Sequence, residues 1–156
     1  MRNVDFLREA IRLSQEKMAA GAGGPFGAVI VEGDTIVAEG WNQVTSTLDP
    51  TAHAEIVAIR RATARKEHFS LKGCVMYASC EPCPMCFGAI HWARLDGVIY
   101  GASREDAAAI GFDDALLYRE LALDPAHRRM PSLQAEQDAA VAAMRAWWWL
   151  PHRVTY

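Results

Sequence analysis

The sequence predicts a single α/β domain, because segments of helical and strand character alternate along its 156 residues. Two units carry the prediction: a hairpin over residues 28–38 and a strand–helix–strand unit over residues 74–101. A chain of this length that is 51% hydrophobic can bury one core. No repeat or linker divides it, so we expect one domain over residues 1–156.

The first third of the chain is predicted as a helix followed by a hairpin. Val4, Leu7, Ile11 and Met18 recur at helical spacing, and the glycine-rich stretch 21–25 ends that helix. Strands are expected at 28–31 and 35–38, with Glu32-Gly33-Asp34 as the turn between them. These two strands therefore pair in an antiparallel ladder.

The middle third adds a helix and then a strand–helix–strand unit. After a loop at 42–49, a helix is predicted to begin near Pro50 or Thr51 and to run through Arg65, with Asp49-Pro50-Thr51 supplying its cap. The next elements are a strand at 74–78, a helix at 84–94 and a strand at 97–101. The sequence thus predicts an antiparallel part of the sheet followed by a crossover unit.

The last third is predicted to be mainly helical. Residues 115–122 form a helix, 132–136 a short strand, and Asp138 caps a helix that runs through Trp148 with alanine supplying propensity. Three consecutive tryptophans, 147–149, cannot all face one core, because successive helix positions differ by about 100°. At least one indole should meet solvent or a partner, so we expect a homodimer.

Composition narrows the class of protein. A net charge of -3 provides no overall basic field, which argues against nucleic acid as a partner. Arg2, Asp5, Arg8 and Glu9 stand where a secretory signal needs an apolar core, and no run reaches the roughly 18 apolar residues of a membrane span. We expect a cytoplasmic protein without membrane contact, in which the four cysteines are thiols or metal ligands.

Two short motifs contain ligands suited to zinc. His53 precedes Ala54-Glu55, and Cys83 and Cys86 lie three residues apart after Pro82. At the first turn of a helix the two sulfurs would share a face, and the positive end of the helix dipole would favour their thiolates. Three protein ligands leave the fourth tetrahedral position for water, as in catalytic zinc sites.

Glu55 is the candidate acid–base residue beside this metal. Residues two apart on a helix point about 200° apart, so His53 and Glu55 can share a site only at a helix start. Zinc nucleobase deaminases use this combination of motifs, with the glutamate as proton shuttle and not as ligand. One alternative is a closed structural site in which Cys80 is a fourth ligand, which would make the chain a zinc-stapled interaction module.

Four sequence blocks resemble bacterial guanine deaminases of the cytidine deaminase superfamily. They are Gly23–Val31, Asp49–Glu55, Ser79–Cys86 and Gly111–Asp114, and the resemblance is dense from about Gly21 to Tyr118. It implies a cytidine deaminase-like three-layer sandwich with a central five-stranded mixed sheet flanked by helices. It also implies one zinc per subunit and hydrolysis of guanine to xanthine and ammonia, with zinc hydroxide attacking C2 and Glu55 moving the protons.

The resemblance also implies residues that bind the substrate. They are Phe26 and Trp92 against the purine faces, Asn42 on the ring edge, Asp114 on the ring N–H groups, and also Ala54 and Tyr156. Tyr156 would lie in a lid, because such enzymes can exchange C-terminal segments, here about 132–156, between subunits. Without the resemblance, the aromatic residues could be core, Asn42 a loop residue and Asp114 a helix cap. Another base, or adenosine in tRNA, remains the alternative substrate.

Overall fold

The computed structural model describes residues 4–156, so Arg2 of the predicted polar N-terminus lies outside the described residues. The chain divides into two compact units, and the boundary in the sequence falls between Asp114 and Ala115. The first unit contains the sheet and both zinc-ligand motifs. No helix among the described residues is long and apolar enough to cross a membrane.

A mixed sheet of four strands forms the centre of the first unit, in the order β2-β1-β3-β4. The strands are β1 (Gly27–Glu32), β2 (Thr35–Trp41), β3 (Cys74–Cys80) and β4 (Gly97–Ala102). Strand β1 runs antiparallel to β2 and β3, whereas β3 and β4 are parallel and are joined by a helical crossover. The predicted hairpin and strand–helix–strand unit are both present.

Helices cover both faces of this sheet. Helix α1 (Val4–Ala19) packs on one face through Leu13, against Val29 and Tyr77. On the other face, α3 (Ala54–Lys66) and α4 (Pro84–Trp92) bury Ala58 and Ile90. Because strand residues alternate between faces, Ile30 belongs to the second core and its neighbour Val29 to the first. The predicted α/β fold in three layers is therefore confirmed.

The predicted fifth strand is wrong. Residues 132–136 have no regular structure and are exposed, with Leu133 at 91% exposure. This stretch offers only one large apolar residue, Leu133, and follows Pro131, which has no backbone N–H to donate to a ladder. It has no apolar face to bury, so propensity alone does not make it a strand.

The helix predicted from Pro50 or Thr51 begins later, at Ala54. Asp49 does not cap it: its Oδ1 accepts hydrogen bonds from the backbone N–H and the hydroxyl of Thr51, at 2.8 and 2.6 Å. That local turn holds the chain out of the helix until His53, whose extended backbone (φ -66°, ψ 157°) makes it the N-cap residue. The delay places His53 and Glu55 on either side of the helix start.

Two short helices were not predicted. Helix α2 (Val44–Thr47) lies within the predicted loop 42–49, and α5 (Arg104–Ala109) follows β4. Both are too short for a hydrophobic period to show. Helix α5 does carry a sequence signal, because Ser103 and Asp106 form a reciprocal capping box.

The second unit consists of α6 (Ala115–Ala122), a 3-10 turn (Pro125–His127) and α7 (Gln137–Trp148). Helix α7 begins at Gln137, one residue before the predicted cap Asp138, with Glu136 as its N-cap. The side chain of Arg128 ties the unit together by donating to the carbonyls of Glu120 and Leu123, at 3.1 and 3.2 Å. No residue of α6 or α7 is buried.

Candidate active site

The starts of α3 and α4 bring the predicted ligands together. His53 is the N-cap of α3, and Cys83, also in extended conformation, is the N-cap of α4. Pro84 occupies the first helical position, where its missing N–H is not needed, and Cys86 follows in the first turn. Because both helices pack on the same face of the sheet, their N-terminal ends meet.

The spacing of the three ligand atoms fits a tetrahedral zinc ion. His53 Nδ1 lies 3.6 Å from Cys83 Sγ and 3.5 Å from Cys86 Sγ. Zinc bonds to sulfur and nitrogen at tetrahedral angles separate those atoms by roughly 3.6 Å. All three ligand atoms lie within 4.8 Å of one another. His53, Cys83 and Cys86 therefore form a candidate zinc site in which an imidazole nitrogen and two sulfurs match zinc's preferences.

The two cysteines have different proton affinities. Hydrogen bonding from Cys86, and then from His53, lowers the pKa of Cys83 to about 4. The same contact raises the pKa of Cys86, which donates to the Cys83 thiolate, and that thiolate raises the pKa of His53. Cys83 is thus the ligand most readily ionised at neutral pH. Cysteine thiols must lose their protons to bind a metal as thiolates, so metal affinity in this set will increase with pH.

Glu55 is the second residue of α3 and lies on the inner side of the helix start. It is 7% exposed, and burial is the main reason that its pKa is raised. Interactions of its carboxyl with Cys86 and with the charge of Cys83 place it beside the ligand set. A buried carboxyl with a raised pKa can hold and release a proton near neutral pH.

Cys80 is not among the converging ligand atoms. It is the last residue of β3, and its thiol donates to the carbonyl of Ser103 at 3.5 Å. Burial raises the pKa of the Cys80 thiol to about 11, which opposes the thiolate that a zinc ligand requires. The closed four-ligand alternative is therefore not supported. Cys74 is also a buried strand thiol whose pKa is raised by burial.

Two side chains predicted near the base, Phe26 and Asn42, converge around Gly24 together with Phe112. The ring of Phe26 meets the ring of Phe112 edge-on, with centroids 4.9 Å apart, and a Cβ on Gly24 would stand 3.5 to 3.6 Å from Phe26, Asn42 and Phe112. Asn42 is buried and its backbone N–H donates to the Phe26 carbonyl at 3.0 Å. The sequence analysis gives Phe112 no site role; its place next to Asp113-Asp114 in the block Gly111–Asp114 is the signal that points to it.

The remaining candidates are placed in different ways. Ala54 is the first residue of α3, and its side chain is buried in the core, so a base could reach only its backbone.

Asp114 is partly exposed. Burial is the main reason that its pKa is raised, and the negative charge of Cys83 is the next, so Asp114 and Cys83 lie near each other. Trp92 ends α4 at 66% exposure, six residues after Cys86 and on the opposite face from buried Ile90. Tyr156 belongs to the second unit and is exposed.

Comparison with known proteins agrees with this geometry. The family model for the cytidine and deoxycytidylate deaminase zinc-binding region matches residues 1–102. A guanine deaminase of Bacillus subtilis is 47% identical over 147 residues, 94% of each chain. The X-ray structure of guanine deaminase from Bacillus subtilis superposes with a TM-score of 0.96 at 45% identity, covering 100% of this chain and 99% of that one. A tRNA-specific adenosine deaminase of Haemophilus influenzae is 40% identical over 114 residues, 69% of this chain and 65% of that protein.

Proposed function

The chain belongs to the cytidine and deoxycytidylate deaminase family, and we propose that it is a zinc-dependent hydrolase that converts guanine and water to xanthine and ammonia. One observation carries the proposal: three zinc ligands converge at two helix starts, with the buried carboxyl of Glu55 beside them. The guanine deaminase relative spans 94% of the chain, whereas the tRNA-specific relative covers 69% of it. Guanine is therefore the favoured substrate.

His53, Cys83 and Cys86 would hold the zinc ion, which would supply Lewis acidity to activate a water molecule. Glu55 does the proton transfers. Its carboxylate accepts a proton from the attacking water and delivers it to N3 of the base, and a second transfer from water to the departing amine releases ammonia. The raised pKa of Glu55 suits a group that both takes up and gives back a proton in one cycle.

The base is held by the cluster around Gly24 and by the residues after α5. Phe26 packs on a purine face, and the amide of Asn42 donates to the ring edge. Asp114 accepts from ring N–H groups. A base without those N–H donors would leave the Asp114 carboxylate unpaired, so this contact favours guanine over bases of different hydrogen-bonding pattern.

The substrate assignment is tested by ammonia release. The zinc-loaded protein is assayed with guanine, adenine, cytosine, cytidine, aminotriazines and a tRNA, and release from guanine should exceed release from the others. Preferential deamination of adenosine in tRNA would replace the proposal by its alternative. Absence of turnover on every substrate, with zinc bound, would instead leave a structural zinc module.

We further propose a cytoplasmic location and assembly as a homodimer, and the second unit supports the dimer. Its helices bury no side chain, and Trp147, Trp148 and Trp149 are 39%, 54% and 80% exposed. Ordered helices with so much exposed aromatic surface gain stability when a second copy covers them. Exchange of the segment 132–156 between subunits would bring Tyr156 over the partner's site. Light scattering at micromolar concentration should give twice the chain mass of 17.2 kDa, and a monomer would refute the dimer.

A further inference from the structure

Glu81 connects the metal-ligand turn, residues 81–86 with Cys83 and Cys86, to the start of α5. It lies between Cys80, the last residue of β3, and Pro82. Its backbone N–H donates to the carbonyl of Ala102 at 2.9 Å, and its carboxylate Oε2 accepts from the backbone N–H of Arg104 at 3.1 Å. One residue, two positions before Cys83, thus contacts both the end of β4 and the first residue of α5.

The contact completes the N-terminus of α5. The first N–H groups of a helix have no partner within it. The Ser103 hydroxyl accepts from the N–H of Asp106 at 3.3 Å, and Asp106 Oδ2 accepts from the N–H of Ser103 at 2.8 Å. Glu81 supplies the acceptor for the N–H of Arg104, and a carboxylate at this end of a helix is also favoured by the helix dipole. The hydrogen bond to Glu81 therefore fixes the start of α5 relative to the metal-ligand turn.

The other end of α5 leads directly to the base-binding residues. The N–H of Phe112 donates to the carbonyl of Ala107 at 3.0 Å, and Gly111 supplies the left-handed backbone (φ +96°) that this turn requires. Phe112 then meets Phe26 edge-on, and Asp114 follows two residues later. Residues 104–114 form a short arm whose near end is attached to Glu81 and whose far end carries Phe112 and Asp114.

We propose that Glu81 is a positioning residue for base binding, which sets where the arm 104–114 holds Phe112 and Asp114 relative to the zinc ligands. This rests on the proposed function, because it assumes that Asp114 binds the base. Loss of the Glu81 carboxylate should weaken guanine binding and leave the proton transfers of Glu55 intact. The effect should therefore appear in KM more than in kcat.

The test compares Glu81→Ala and Glu81→Gln with the unaltered zinc-loaded protein. KM and kcat for guanine, zinc per chain, and amide hydrogen exchange of residues 110–114 are measured. Glu81→Ala should raise KM roughly tenfold, as expected for losing a hydrogen bond to a charged group, keep kcat within about twofold, retain zinc and speed exchange in residues 110–114. Glu81→Gln keeps an acceptor oxygen for the N–H of Arg104 and should recover most of the KM.

A matched control is Glu105→Ala, on the same helix. The Glu105 carboxylate pairs with the side chain of Arg104 at 3.0 Å and also interacts with the Ser103 side chain. Its replacement leaves the contact of Glu81 with the Arg104 N–H in place, so KM and exchange should stay near their original values. Equal effects of the two alanine variants would overturn the proposal. So would zinc loss or a fall in kcat at constant KM in Glu81→Ala, since either would place the role of Glu81 in the metal turn itself.

The design separates this inference from the proposed function. If the unaltered protein does not deaminate guanine, the proposed function fails, and hydrogen exchange still reports whether Glu81 fixes the arm. If Glu81→Ala does not fold, the Glu81→Asp variant takes its place. Its carboxylate is one methylene shorter, so exchange in residues 110–114 should rise above that of Glu81→Gln; exchange equal to the unaltered protein would count against positioning.

Discussion

The side-chain oxygen of Asn42 accepts a hydrogen bond from the backbone N–H of Gly24 at 3.2 Å. A second bond, from the N–H of Val44 at 3.2 Å, uses the same oxygen. Since both contacts fix the oxygen on the protein side, the amide NH₂ is the part of Asn42 that can address a ligand. Asn42 is thus oriented as a donor, which suits a carbonyl on the substrate.

This orientation predicts different results for two replacements of Asn42. Asn42→Asp keeps an oxygen for Gly24 and Val44 and loses the donor, so the protein should fold and bind zinc while KM for guanine rises roughly 10- to 100-fold. Asn42→Ala removes the backbone contacts as well and should also lower thermal stability. Steady-state kinetics together with thermal unfolding distinguish the two. An unchanged KM in Asn42→Asp would remove Asn42 from the set of base-binding residues.

Replacement of the proposed proton shuttle should abolish turnover without affecting the metal. Glu55→Gln preserves size and most hydrogen bonding at a buried position but cannot exchange the proton. We expect zinc to be retained and kcat to fall by at least roughly a hundredfold, the lower end for a positioned acid–base group. Zinc analysis and single-turnover rates test this, and near-normal turnover would rule out Glu55 as the shuttle.

Asp114→Asn should raise the stability of the protein at pH 7 while it weakens guanine binding. Because burial and the Cys83 charge raise the pKa of Asp114 above its ordinary value, the folded protein binds more protons than the unfolded chain over the intervening pH range. Stability contributed by protonated Asp114 is present at low pH and is lost as pH rises through the folded pKa. The asparagine variant should therefore be the more stable protein at pH 7, by a margin that disappears below roughly pH 4.

The same replacement should weaken guanine binding, because an amide is a poorer acceptor than a carboxylate for ring N–H groups. Urea unfolding at pH 7 and pH 3.5 measures the stability difference, and KM measures the binding. The margin should be larger in zinc-free protein, since zinc offsets the charge of Cys83. A variant that is less stable at pH 7 would show that ionised Asp114 is stabilising and that its carboxylate has a partner in the folded state.

The parts of the fold that the sequence predicted are those with strong hydrophobic periods or strict ligand spacing. The sheet strands around Val29 and Met76 and the start of α4 after Cys83 belong to this group. The delayed start of α3 depends on a hydrogen bond from Thr51 to Asp49 that competes with helix formation. The contact between Phe26 and Phe112 joins residues 86 positions apart, and local patterns carry no information on such pairs.

Removal of the C-terminal residues through Tyr156 tests whether the tail covers a site. If Tyr156 closes over the base in a partner subunit, deleting the last few residues should lower kcat/KM much more than it lowers the melting temperature. The exposed terminus makes little contribution to a core, so folding and zinc content should be preserved. Unchanged kinetics would dispose of the lid, and light scattering of the same variant would show whether the dimer survives.

Gly40 should be indispensable for the placement of the α3 start. A Cβ at this position in β2 would stand 2.2 Å from the carbonyl oxygen of Ala54 and 2.6 Å from the backbone nitrogen of Ala58. Backbone atoms cannot yield as a flexible side chain does, so Gly40→Ala must push α3 away from the sheet. Ala54 lies between His53 and Glu55, and the displacement should therefore reach both the metal ligand and the proton shuttle.

We expect Gly40→Ala to lose about 1–3 kcal/mol of stability, the usual cost of overpacking, and to bind zinc more weakly. The matched control is Gly88→Ala in α4, where a Cβ would meet no atom within 4 Å apart from its chain neighbours and the local helix backbone. Alanine in a helix interior is favoured over glycine by roughly 0.5–1 kcal/mol, so this variant should be as stable as the unaltered protein or more stable. Urea unfolding and zinc competition measure both effects. Equal stability of the two variants would mean that α3 can shift without cost and that the close approach of Gly40 does not set the geometry of the site.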